Sequence, residues 1–272
     1  MNEVAKKHFL RAEKLRLEGN IDSSITALLA AVNVDPNYAA AHHNLGFLYE
    51  RKHKMQRALA EYEEALRLDP RLEKGYVNMG ALLVNSGGFD NFTKAISVHQ
   101  KAISLFPKNV KLHYNLGNAY VGLGQREHAI SAYSEAIQYD PNFYDAYANL
   151  GRELVLNEDW VAAVSIFRQA IASGPVEPAL RYALCSALIQ IRKTTEAIAE
   201  FKELIRDNPQ DAKGYFQIGR AYLIQAMQEK SKESIRLAEE ALKKSLLLKP
   251  FNLQTINMLY QAYNMRKKSE LV

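Results

Sequence analysis

Four related stretches place asparagine at one position: HHNLGFLYE at 42–50, YVNMGALLV at 76–84, HYNLGNAYV at 113–121 and YANLGRELV at 147–155. A primary amide carries a donor and an acceptor together, so Asn44, Asn78, Asn115 and Asn149 could meet the N–H and C=O of an extended peptide whatever its side chains. Asparagine costs about half a kcal/mol relative to alanine inside a helix, so four copies are either inherited with a framework or used. The other reactive candidates are weaker. His42 and His43 are neighbours, but adjacent helix residues point about 100° apart and do not readily share a metal. Cys185 stands where related stretches have glycine, which reads as a small buried residue rather than a nucleophile. VGLGQR at 121–126 follows no strand, so it is a turn and not a phosphate loop, and there is no HExxH or nucleophile elbow. NFT at 91–93 fits a glycosylation sequon that matters only in a secreted chain.

The 272 residues are 48% hydrophobic and 24% charged, enough to bury a core. No apolar run reaches the length of about 18 residues needed to cross a bilayer, and MNEVAKKHFL lacks the apolar stretch of a signal peptide. With a single cysteine, no internal disulfide forms; a reducing, cytoplasmic setting is expected, with no metal or other cofactor. The net charge of +5 raises nucleic acid as a partner, but the halves 1–136 and 137–272 hold 17 basic with 14 acidic groups and 18 with 16. Neither half is a basic domain, which argues against it.

The elements that must carry the amides follow from periodicity. Prolines stand at 36, 70, 107, 141, 175, 209 and 250, mostly 34 residues apart. Gly46, Gly80, Gly117, Gly151, Cys185 and Gly219 run in step, as do Ala58, Ala95, Ala129, Ala163 and Ala197. Within a unit the apolar residues recur three and four apart, as in Leu45, Leu48 and Tyr49, then Ala58, Leu59, Tyr62, Ala65 and Leu66. That spacing predicts two amphipathic helices joined by a polar turn and ended by proline, with Gly and Ala letting two backbones approach closely.

In this register the chain resembles the tetratricopeptide repeat family, whose 34-residue unit has a large residue, then Leu-Gly, then Tyr, and later Ala, an aromatic, Ala and Pro. Residues 110–143 carry His113, Leu116, Gly117, Tyr120, Ala129, Tyr133, Ala136 and Pro141. The resemblance covers nearly the whole chain, as one domain over 1–272 with units at 5–38, 39–72, 73–109, 110–143, 144–177, 178–211 and 212–252, and a capping helix at 253–268. It implies an all-α, right-handed superhelical solenoid of about seven helix-turn-helix repeats. Such units bury their apolar faces only against neighbours, so the ends must be covered or polar. Gln254, Gln261, Lys267 and Lys268 suit a solvated cap.

The resemblance further implies that the first helix of each unit lines a concave groove. The expected peptide-binding residues are then Asn44, Asn78, Asn115 and Asn149 with Phe47, Lys74, Lys111, Tyr114, Asn118, Arg152, Tyr182, Phe216 and Arg220. A similar asparagine row occurs in the repeat domains of O-linked N-acetylglucosamine transferase and of peroxisomal import receptors. The carboxylate clamp of chaperone-tail receptors is not expected, because Tyr114 precedes Asn118 by one turn and Ala179 and Ala183 stand where cations are needed. Two units are long. NSGGFDNF is expected to lengthen a surface turn in the third. Seven extra residues in IQAMQEKSKESIRLAEEA are expected to project two helices in the seventh.

The expected role is a non-enzymatic scaffold or adaptor that binds a protein, as an extended peptide or partner helix, in the groove. The alternatives are a recognition arm for an enzyme whose catalytic part lies elsewhere and, more weakly, an RNA-binding solenoid. The partner and the oligomeric state are not legible in the sequence.

Overall fold

The computed structural model describes residues 2–174 and 177–270, so Pro175 lies outside the described residues. These form fifteen α-helices and no strand: α1 Glu3–Leu17, α2 Ile21–Val34, α3 Ala39–Arg51, α4 Met55–Leu68, α5 Glu73–Ser86, α6 Phe89–Leu105, α7 Val110–Gly122, α8 Arg126–Tyr139, α9 Tyr144–Leu156, α10 Trp160–Ser173, α11 Pro178–Gln190, α12 Thr194–Asp207, α13 Ala212–Glu229, α14 Lys232–Leu248 and α15 Leu253–Glu270. Their contacts gather in two compact units, Met1–Ala146 and Tyr147–Val272. None of the described helices is long and apolar enough to cross a membrane.

Local chemistry sets the two kinds of corner. The residue before each corner proline is extended, with Asp35 at φ −135°, ψ 89° and Asn208 at φ −137°, ψ 88°, because the proline ring crowds helical geometry there. The Oδ1 atoms of Asp35, Asp69, Asp140 and Asn208 each accept the N–H two residues on, which closes the turn. Within a pair, the chain reverses through a left-handed residue: Gly19, His53, Gly124, Glu158, Arg192 or Lys230. A second latch ties three of the proline corners to the next helix. Tyr76 Oη donates to the Pro70 carbonyl at 3.2 Å, and Nε2 of His42 and of His113 donates to the carbonyls of Pro36 and Pro107 at 3.0 and 2.7 Å. At these three corners the large residue of the unit is thus a polar tether as well as packing.

The alanine row is fully buried at Ala58, Ala95, Ala129, Ala163 and Ala197. In the first pair its counterpart is Ser24, whose Oγ donates to the Ala12 carbonyl at 2.8 Å. The glycine row works differently from the expected backbone approach: it makes room for a side chain of the second helix. A Cβ on Gly46 would lie 2.7 Å from the Tyr62 ring and one on Gly117 2.5 Å from the Tyr133 ring, while His99 and Phe167 cover Gly80 and Gly151. Each such buried ring contributes about 1.5–3 kcal/mol of transfer free energy. Cys185 joins this row, fully buried, with burial pushing its thiol up to about 12.

Two expectations change, that for the third-unit turn and that for the end cap. The turn in NSGGFDNF is only Gly87 and Gly88, both left-handed at φ 65° and 91°, and the extra residues lengthen α6 to 17. They extend the helix because Phe92, in its first turn, packs its ring onto Gly122 of α7. The added length in the seventh pair goes equally into helix, giving 18 residues in α13 and 17 in α14. α15 exposes Gln254, Gln261, Lys267 and Lys268 as a polar cap would, but it also exposes Leu253, Ile256 and Tyr260 at 74%, 41% and 65%. The reason is register: α15 follows Pro250 as a first helix follows its proline, and Tyr260 occupies the place of the glycine.

Candidate functional site

In the first unit, first helices adjoin in the order α3, α5, α7, and their asparagines face different surroundings. Between α3 and α5 the polar groups close on one another. Asn78 Nδ2 lies 3.1 Å from His43 Nε2, His43 Nδ1 lies 3.1 Å from Asn44 Oδ1, and Asn44 Nδ2 donates to Glu13 Oε1 at 2.8 Å. Only one proton assignment satisfies all three: Nε2 of His43 accepts, Nδ1 donates, and the ring is neutral. Burial holds its pKa below the ordinary value, with Lys74 adding to the effect, in keeping with that tautomer. Arg16 holds the far side of Glu13 at 2.8 Å. Tyr62 Oη donates to Glu50 at 2.9 Å and also accepts from Asn78; burial, then Glu50, pushes that hydroxyl far up.

The next step, from α5 to α7, lacks both partners. The counterpart of His43 is Val77, and the counterpart of Tyr62 is His99. The His99 ring is fully buried, neither nitrogen has a hydrogen-bond partner, and burial lowers its pKa to about 4. With no hydroxyl to extend from it, Asn115 stays half-buried and, among the described residues, has no hydrogen-bond partner.

One turn before Asn115 the same step opens a groove of about 530 Å³ lined by Glu73, Lys74, Val77, Asn78, Asn109, Val110 and Lys111. Lys74 and Lys111 are exposed, and no carboxylate among the described residues pairs with either. The acid beside them, Glu73, accepts instead from Asn109 Nδ2 at 2.5 Å.

The remaining sequence-derived residues fall into three settings. Phe47 is partly buried against the core of the first unit. Tyr114 packs edge-on to Phe143 at 5.1 Å and tilted to Tyr133 at 5.8 Å, while Asn118 accepts from Tyr133 Oη at 2.7 Å. In the second unit Asn149 is half-buried and Arg152 exposed on α9. Tyr182 donates to Asp211 and lies under the Lys213 ammonium at 4.3 Å; burial, then Asp211, pushes its hydroxyl up. Phe216 lines a second groove, of about 310 Å³, between α13 and α15. Arg220 donates to Gln217 at 3.4 Å.

Sequence reasoning missed His43 as a bridge, Glu13 and Tyr62 as its ends, and Lys213, Lys249 and Gln254 as groove residues. The signal was present: His43 precedes Asn78 by 35 residues and Tyr62 precedes it by 16, so comparing those offsets across units separates Asn78 from Asn115.

Family models described as TPR repeat match residues 12–52 and 90–124, and models described as Tetratricopeptide repeat match 39–72, 110–143 and 154–215. DnaJ protein P58IPK homolog B of Oryza sativa subsp. japonica is 31% identical over 148 residues, covering 50% of this chain and 31% of that protein. Protein O-mannosyl-transferase TMTC3 of Homo sapiens is 25% identical over 226 residues, covering 75% of this chain and 24% of its own. The chain thus spans about a third or less of the length of these relatives. The crystal structure of MamA protein superposes with a TM-score of 0.58 at 26% identity, over 64% of this chain and 93% of that one.

Proposed function

The chain belongs to the tetratricopeptide repeat family, whose repeats mediate protein–protein interaction, and from that premise we propose that it is a non-enzymatic module whose α5–α7 groove binds an extended peptide, with Asn115 as the amide that grips the backbone. The observation that carries this reading is the contrast along the row: Asn44 and Asn78 already spend their hydrogen bonds inside the protein, and Asn115 spends none. A bound strand rising about 3.3 Å per residue meets Asn115 with one residue and passes Lys111 or Lys74 within the next few. Val77 and Val110 give it an apolar floor. Asn118, held by Tyr133, and Tyr114, held by Phe143, form a rigid far wall. The single buried thiol suits a cytoplasmic setting.

A 12-residue peptide selected from a random library, measured by fluorescence anisotropy, tests the site. Asn115→Ala should weaken it about ten-fold, the loss of one to two hydrogen bonds, and the Asn115 side-chain amide resonance should shift on binding. An unchanged affinity together with an unmoved resonance sinks the proposal.

A second reading has one observation behind it. The similarity to a protein O-mannosyl-transferase, of which this chain covers about a quarter, favours a recognition arm that presents a peptide to a catalytic part elsewhere. The same groove would serve, and co-purification of transferase activity with the chain separates the two.

A further inference from the structure

Resting on the reading that the inner grooves bind peptide, we infer that the chain carries two such sites, one in each unit, and that both are built for side-chain carboxylates of an acidic extended segment. The second groove, between α13 and α15, uses the same register as the first. Counted from the packing glycine, Lys213, Phe216 and Gln217 stand where Lys74, Val77 and Asn78 stand. Counted from the corner proline, Asn252 and Gln254 stand where Asn109 and Lys111 stand. Two changes make it richer in donors. Glu73, the acid of the first groove, is replaced by Ala212, and Lys249 joins the lining.

The consequence falls on Asn252. Its Oδ1 accepts the Thr255 N–H at 3.1 Å, as Asn109 Oδ1 accepts that of Leu112. In the first groove the Asn109 amide N–H is taken by Glu73, whereas in the second no described group takes that of Asn252. Asp211, which precedes the lining residue Ala212, is held by the Tyr182 hydroxyl and the Lys213 backbone N–H. Lys213, Lys249 and the amides of Asn252 and Gln254 line this single cleft, and no carboxylate is among its lining residues. A carboxylate is the group that accepts from several such donors at once.

Peptide rather than nucleic acid fits the lining. The cations come as separate pairs set among amides and apolar floors, not as a stripe tracking a phosphate backbone, and the first unit has 17 basic against 16 acidic groups.

The probe is acetyl-(Glu-Ser)6-amide, capped at both ends so that only side-chain carboxylates are offered, with acetyl-(Gln-Ser)6-amide as its neutral twin and a uridine dodecamer as the competing class. Titration calorimetry on the full chain should give two sites for the acidic peptide and at least ten-fold weaker binding of the neutral one. All four lysines are exposed, so their exchange spares the fold. Lys74→Gln with Lys111→Gln, or Lys213→Gln with Lys249→Gln, should each leave one site, and all four together should leave none. Equal binding of the two peptides with retained dependence on Asn115 overturns the acidic class and leaves the peptide-binding reading standing. A single site indifferent to Lys213 and Lys249 overturns the second groove. Tighter binding of the uridine dodecamer overturns the peptide class, and absence of any peptide binding removes both readings together.

Discussion

Two neighbouring steps of the first unit share one backbone plan and end in opposite states. From α3 to α5, Glu13, Asn44, His43, Asn78, Tyr62 and Glu50 form a chain of hydrogen bonds with every central partner satisfied. From α5 to α7, valine replaces histidine and histidine replaces tyrosine, so the chain stops at Asn78, and Asn115, one turn beyond the groove, has no side-chain partner among the described residues. A repeat position is therefore not a function. The same asparagine stitches repeats together in one step and is left open in the next, and two side chains contributed by the preceding repeat decide which.

The comparison can be broken most severely at its shared foundation. Gly80→Val drives a side chain into the buried His99 ring, and the overpacking should cost about 3 kcal/mol or more in urea unfolding, removing both steps at once.

His99→Phe sharpens the difference next. The folded pKa of His99 lies at about 4, below the ordinary histidine value of about 6.5, so as pH falls the unfolded chain takes the proton first. The native state loses this contribution progressively between about pH 6.5 and 4, a total of about 3 kcal/mol, and keeps it above. Phenylalanine has no proton to bind and already fills the corresponding site as Phe167 and Phe201. The stability gap between variant and parent should widen as pH is lowered through that window in parallel denaturant titrations; a constant gap would contradict the buried neutral ring. His42 has the opposite sign. Its hydrogen bond to Glu61 at 2.7 Å, and then that to Pro36, raise its pKa, so its stabilisation is full below about pH 6.5 and fades as pH rises through the raised value.

Exchanging the deciding residues is the direct test. His43→Val makes the first step resemble the second and strips partners from Asn44 and Asn78, which should cost about 1–3 kcal/mol. Val77→His in the second step supplies the missing bridge to Asn115 and should weaken peptide binding about five-fold, with little change in melting. The smallest effect is expected for Asn115→Ala on stability alone: within about 0.5 kcal/mol of the parent, because the removed amide holds nothing. A loss of 1 kcal/mol or more there would mean that Asn115 is structural after all.

The repeat pattern made the fold legible because it reports constraints that recur in every unit. Proline at the corner, glycine under a ring and alanine at the crossing each answer a local steric demand, and the helices begin and end where those residues require. The shared position of the asparagines on the first helices follows from the same register. Their hydrogen-bond partners do not, because these are Glu13, His43 and Tyr62, at positions whose residues vary from unit to unit. The two-glycine turn of the third unit differs from the sequence expectation for a related reason: extra residues beside glycine suggest loop, but Phe92 has a docking place on Gly122 that a helix delivers. The lysines and glutamines of α15 suggest a polar cap, whereas Tyr260 in the glycine register marks it as a first helix.

The tethers from His42, Tyr76 and His113 to proline carbonyls bear on where the chain can be cut. A protease needs a run of residues to peel away into an extended strand. At the Pro36 and Pro70 corners that means releasing the side-chain turn, the carbonyl latch and the first turn of the next helix in one opening. The reversals within pairs are closed by backbone bonds around a left-handed residue, such as Lys54 N–H to the Tyr49 carbonyl about His53 and Gln125 N–H to the Tyr120 carbonyl about Gly124, without a carbonyl latch from a large side chain. Limited digestion should accordingly nick between the helices of a pair, and the fragments should keep the second helix of one unit joined to the first helix of the next.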